Sequence, residues 1–124
     1  MGVQLSVDFA DSPTPAWPAV ADLLARHGCA VQMRMIDGEL SFPDEQPPEN
    51  WREIRVSAHG AMVTVRRGEH DVTLVAWGNA DDAQRRLWQV LAWAFALAGG
   101  GLVRGDEGAL PAATFAEKEG LFPT

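Results

Sequence analysis

The segment from Asn79 to Gly101, NADDAQRRLWQVLAWAFALAGGG, constrains this chain more than any other. It predicts one long helix. Asn79 is a favourable N-cap, and Asp81 and Asp82 put negative charge where the helix dipole favours it. Gly99, Gly100 and Gly101 supply the stop, because glycine takes the left-handed conformation that closes a helix. Roughly 19 residues at 1.5 Å each make a rod about 28 Å long. On a helical wheel Leu87, Leu91, Ala94 and Ala98 point one way. Trp88 and Phe95 flank them on one side, and Val90, Trp93 and Leu97 on the other. Arg85, Gln89, Ala92 and Ala96 make up the remaining strip. The apolar arc is about twice the ~100° stripe of an ordinary surface helix. One sheet face cannot cover it, so a second helix, the C-terminal tail or a second subunit must. A membrane span is excluded: the two arginines and the glutamine leave an apolar run of about nine residues, against the ~20 a span needs.

Of the three covers, the second subunit is the one expected here. The tail, 105–124, carries Leu110, Phe115, Leu121 and Phe122, but Pro111, Gly120 and Pro123 make it a poor continuous packing element. Val90, Trp93 and Leu97 therefore become the expected homodimer interface, since burying each large side chain is worth roughly 1.5–3 kcal/mol.

The 124 residues suit a single domain, 1–124, with a real core. The net charge of −7 argues against non-specific binding to nucleic acid or anionic membrane, both of which need positive surface. Nine of the ten basic residues are arginine and nineteen residues are alanine, the composition of a GC-rich bacterial genome. Cys29 is the lone cysteine and no signal peptide is visible, so a reducing cytoplasm is expected. The start Met1-Gly2-Val3-Gln4-Leu5-Ser6 matches the short myristoylation pattern, but its alternation reads better as a strand.

Val3, Leu5, Val7 and Phe9 alternate with polar residues as a half-buried strand. After the breaker Asp11–Pro15 a first helix runs to about His27, with Trp17, Val20, Ala21 and Leu24 on one face and Gly28 as its stop. Cys29 to Ile36 is a second strand. Asp37-Gly38 is a two-residue hairpin signal that pairs Ile36 with Glu39, Met35 with Leu40, Arg34 with Ser41 and Met33 with Phe42. An acidic, proline-rich connector follows, residues 43–50. A three-stranded meander then begins at Trp51, with turns at His59-Gly60 and Gly68-Glu69. Its rows are Val56–Val63–Leu74 and Ile54–Val65–Val72 on one face, and Ser57–Met62–Val75, Arg55–Thr64–Thr73 and Glu53–Arg66–Asp71 on the other. Leu102-Val103 is a short edge strand, and Ala112–Lys118 holds one helical turn. The expected fold is α+β: one antiparallel sheet of about six strands with two helices on one face, in the order β-α-β-β-β-β-β-α plus tail. In outline it is similar to bacterial immunity proteins and secretion chaperones, although the latter begin with a helix.

Catalytic and metal patterns are missing from this sequence. The run Gly99–Gly101 ends a helix, whereas phosphate cradles open one, and no Lys-Ser/Thr follows it. His27, His59 and His70 have no zinc spacing, and the aspartates at 81 and 82 are explained by the helix start. His27 and Cys29 stand two apart, but a buried cysteine beside a helix-end histidine accounts for them. No metal, nucleotide or other cofactor is expected. The five tryptophans are more informative. By the register, Trp51 and Trp77 lie at opposite ends of the mixed sheet face, with Arg55, Met62, Arg66 and Val75 between them. Tryptophan and arginine dominate many binding interfaces, so these six are the candidate protein-binding residues. The expected function is a non-catalytic protein-binding or assembly module, homodimeric, of unknown target. The alternative is a small-molecule binder or enzyme with a pocket between sheet and helices, lined by Met33, Met35 and Phe42.

Overall fold

The computed structural model describes residues 3–76, 81–105 and 108–121. They form an α+β fold of eight strands and three helices. The strands are β1 (Val3–Asp8), β2 (Gln32–Ile36), β3 (Glu39–Leu40), β4 (Glu53–Ala58), β5 (Ala61–Arg67), β6 (Asp71–Ala76), β7 (Leu102–Gly105) and β8 (Gly108–Pro111). The helices are α1 (Trp17–Arg26), α2 (Asp82–Gly99) and α3 (Ala112–Glu119). All strands pair antiparallel in one sheet, ordered β3-β2-β4-β5-β6-β1-β7-β8. No helix among the described residues is long and apolar enough to cross a membrane.

The hairpin turns explain most of the register. Asp37-Gly38 and His59-Gly60 both hold positive φ at both positions, the left-handed pair that matches the twist of adjoining strands. Ile36 pairs with Glu39 and Met35 with Leu40, and every expected pair between β4 and β5 forms. Beyond Leu40 the first hairpin departs from its reading. Ser41 still donates its N–H to Arg34, but Met33 turns its own N–H to Pro43 rather than pairing with Phe42.

The β5–β6 hairpin differs from the expected register by two residues. Leu74 sits opposite Val65 and Val72 opposite Arg67, because the turn is Glu69-His70, closed by the Gly68 N–H on Asp71 O. A slip of two preserves every side chain's face, so segregation of faces is blind to it. An added Cβ at Gly68 would meet the Asp71 carboxylate, the mobile end of an exposed side chain.

Helix α2 lies across β5, β6, β1 and β7. It begins at Asp82, with Asp81 rather than Asn79 as its cap: Asp81 Oδ1 accepts the Gln84 N–H at 2.8 Å. Asn79 itself is outside the described residues. Gly100, left-handed at φ 67°, closes the helix. Leu87, Leu91, Ala94 and Phe95 are buried in the same core as Leu5, Val7, Ile54, Val56, Val63, Val65, Val72 and Leu74.

The expected cover of this helix needs correction. Val90 and Trp93 are buried within the chain itself, because both α1 and α3 pack against α2. The His27 ring at the end of α1 meets the Trp93 ring edge-on at 4.8 Å, and in the tail Gly120 O accepts from Arg86 Nη1 and Glu119 Oε2 from Gln89 Nε2, both donors on α2. Of the three residues assigned to a dimer interface only Leu97 remains exposed, at 48%. The tail is structured through 108–121, and β8 rather than β7 is the sheet's edge. The residues that read as breakers are its boundaries: Pro111 is the N-cap of α3 and Gly120 its left-handed C-cap. Phe115 and Leu121 are buried.

Candidate protein-binding face

The alternation of each strand puts one set of side chains under the helices and the other on the opposite face. That second face carries four cross-strand rows. Gln32, Ser57 and Met62 form the first, and Arg55, Thr64, Val75 and Gln4 the second. Glu53, Arg66, Thr73, Ser6 and Arg104 form the third, and Asp71, Asp8 and Leu102 the fourth. No described helix lies on this face. Its centre is close-packed: Thr64 and Val75 are neighbours across the strands and both are buried, while Met62 stands 45% exposed.

The charges on this face are arranged in small groups. Glu53 lies 3.4 Å from Arg66 and 4.0 Å from Arg55, and Arg104 lies 2.8 Å from Asp8. Such exposed pairs are worth a fraction of a kcal/mol each, so they set charge distribution more than stability. Arg34 differs. Its Nε donates to Ser57 Oγ at 2.7 Å and its Nη2 to Gln32 Oε1 at 3.2 Å, both neutral acceptors.

Four of the six residues expected to bind a partner are therefore brought together: Arg55, Met62, Arg66 and Val75, although Val75 is buried between its neighbours. Trp77 lies outside the described residues. Trp51 belongs elsewhere. It is 2% exposed and part of the core. The reading extended strand alternation to Trp51, but the strand begins only at Glu53, and the Trp51 N–H instead turns back to Pro48 O. Arg67 then holds it, with its Nε donating to Trp51 O at 2.6 Å and its guanidinium 5.2 Å from the ring centroid. Beside Met62 and Arg66 this face also carries Arg34, Gln32 and Ser57, which were not among the six expected residues. The available signals were the alternation of Gln32 and Arg34 with Met33 and Met35, and Ser57 in the same expected row as Met62.

A bulge in β2 explains several displacements. Met33 sits opposite Val56 and Met35 opposite Arg55, so Arg34 is the extra residue. Met33 faces the core, Met35 joins the helix-free face and Ile36, opposite Ile54, packs on the core. The expected pocket of Met33, Met35 and Phe42 does not form: the first is buried, the second faces away and Phe42 is 75% exposed. Leu40, opposite Met35, is 88% exposed at the sheet edge. The hairpin is tied to β4 by Asp37, whose Oδ1 accepts the N–H groups of Arg52 at 2.7 Å and Glu53 at 3.0 Å. Those bonds, the Glu53 one foremost, hold the Asp37 carboxyl below its ordinary range.

Two other features bear on chemistry. Burial pushes the Cys29 thiol up, the opposite of an activated nucleophile, and His27 Nδ1 lies 2.9 Å from Leu23 O. Among the described residues no group of three or more His, Cys, Asp and Glu side chains is placed to hold a metal ion. A cavity of about 250 Å³ lies between α2, α3 and the β7–β8 hairpin, walled by Leu5, Trp88, Val103, Leu110 and Phe115, with Gln89 and Glu119 at its polar side. No protein-family model, curated protein or solved structure matches this chain.

Proposed function

We propose that this protein is a non-catalytic protein-binding or assembly module that works through the helix-free face of its sheet. The observation that carries the reading is the asymmetry of the sheet. All three helices pack on one another or on one face, and the other presents Met62, Arg66 and Arg34 to solvent around a close-packed centre. Exposed methionine and arginine on a rigid sheet supply adaptable apolar contact and directional hydrogen bonds, with little ordering cost on binding. The homodimer expected from the sequence is retained as one identity for the partner. Its seat moves from α2 to this face, because Val90 and Trp93 are occupied within the chain.

A photo-cross-linking amino acid at position 62, with position 113 on the exposed side of α3 as control, tests the proposal. Adducts from position 62 alone, diminished by Arg66→Glu, are expected. An adduct of twice the chain's mass would identify the partner as a second copy. Equal labelling from both positions, or none from position 62, refutes the face.

The second reading is a small-molecule binder, favoured by the cavity of about 250 Å³ between α2, α3 and the β7–β8 hairpin. Apolar walls with a few polar groups at one side are the usual make-up of a ligand pocket. Its discriminator is a thermal shift with metabolites that Phe115→Trp, by filling the cavity, abolishes.

A further inference from the structure

The helix-free face has a cleft at one end of β2, β4 and β5, about 390 Å³ in volume, lined by Gln32, Arg34, Ser57, His59 and Met62 over the small residues Ala58 and Gly60. We propose that this cleft takes a carboxylate side chain of the protein partner, with Arg34 as its anchor. The proposal rests on the reading of this face as the binding surface. Three observations converge on it.

The first is charge pairing. Arg55, Arg66 and Arg104 each lie within 4.0 Å of a carboxylate of their own face, whereas among the described residues Arg34 bonds a hydroxyl and an amide oxygen. A guanidinium has five N–H donors, and among the described residues Arg34 makes two bonds. The second is backbone geometry. Arg34 is the extra residue of the β2 bulge, a feature that re-aims a side chain out of the regular ladder. Its bonds to Ser57 and Gln32, which face each other across β2 and β4, hold the guanidinium plane in place before any partner arrives. The third is shape. Ala58 and Gly60 leave room beside the guanidinium, and half-exposed Met62 offers apolar contact to the methylenes of an incoming glutamate.

Charge, not geometry, selects a carboxylate over a phosphate, because a guanidinium fork matches either by two parallel hydrogen bonds. A phosphate carries about −1.5 to −2 at neutral pH and would leave uncompensated charge on a protein whose net charge is already −7.

The test is a titration of ¹⁵N-labelled protein with N-acetyl-glutamate amide, N-acetyl-glutamine amide and inorganic phosphate, followed by NMR. Saturable shifts at Gln32, Arg34 and Ser57 are expected with the glutamate compound alone. Arg34→Ala should remove them, and Arg34→Lys should weaken binding at least threefold, since a lysine ammonium cannot form the fork. An equal response to the glutamine compound, tighter binding of phosphate, or shifts that persist in Arg34→Ala would overturn the assignment. Cross-linking from position 62 separates this proposal from the reading it rests on. An adduct whose yield is unchanged in Arg34→Ala sinks the carboxylate anchor and leaves the face standing. Absence of the adduct in the wild-type protein sinks both.

Discussion

At position 38 a side chain has room but lacks a comfortable backbone. Gly38 has φ +84° and nothing within 4 Å of an added Cβ, so Gly38→Val is penalised through conformation alone. We expect a loss of about 1–3 kcal/mol, read by chemical denaturation. Gly68→Ala should cost less: the obstructing atom is the end of Asp71's side chain, and Asp71 is exposed. Asp37, next to Gly38, gives a pH dependence with a definite sign. Its folded pKa is depressed, first by the Glu53 N–H and then by the Arg52 N–H. Stabilisation is therefore present above the unfolded value, about 3.9, and is lost as pH falls through the lower folded value. Asp37→Asn keeps the turn but not the charge. Its stability deficit relative to wild type should be constant near neutral pH and should shrink below about pH 4, in thermal melts across the acid range. The Asp37-Gly38 and His59-Gly60 turns were legible in the sequence because hairpin chemistry is local, whereas Gly68 flanks the Glu69-His70 turn instead of lying in it.

At the scale of elements, the faces of strands were legible and their phase was not. Val, Ile and Leu alternating with charged residues fix which side of β4, β5 and β6 meets the helices, and those faces agree with the structure. The β5–β6 register escaped because a two-residue slip swaps each row for its neighbour without moving any residue to the wrong side. The β2 bulge escaped for a different reason. Met33 and Met35 alternate with Gln32 and Arg34 as in an unbroken strand, and only pairing with β4 shows where the extra residue falls. The candidate site inherits both limits: Arg55, Met62 and Arg66 followed from alternation, whereas Arg34 needed the bulge and Trp51 needed the start of β4. For α2, the breadth of the apolar arc was right and its cover was misjudged. Trp93→Glu, which separates subunits if that residue is an interface, should instead lower the melting temperature sharply, because it buries an unpaired charge beside α1. Asp81→Ala should cost about 1 kcal/mol by freeing the Gln84 N–H.

For the whole molecule, α3 is the element that completes the core's covering. Ala112, Phe115 and Leu121 are buried in the common core, so deleting 112–124 removes two large apolar side chains and bares the flank of α2. Roughly 1.5–3 kcal/mol per large side chain follows from the lost burial. The truncated chain should melt earlier and bind a hydrophobic dye; an unchanged melt without dye binding would show that α3 is dispensable. The sheet order has a kinetic corollary. Val7 pairs with Val72 on one side and Val103 on the other, so β1 is threaded between strands made long after it. The meander of β4, β5 and β6 closes through tight local turns, but β1 must wait for remote partners, and such loop closures slow folding. On a translating ribosome, β1 is a bare, hydrogen-bond-hungry ribbon until β6 emerges, and one of its rims stays open until β7 follows. That interval is when the nascent chain is most vulnerable to intermolecular strand addition, and a holdase chaperone would act there.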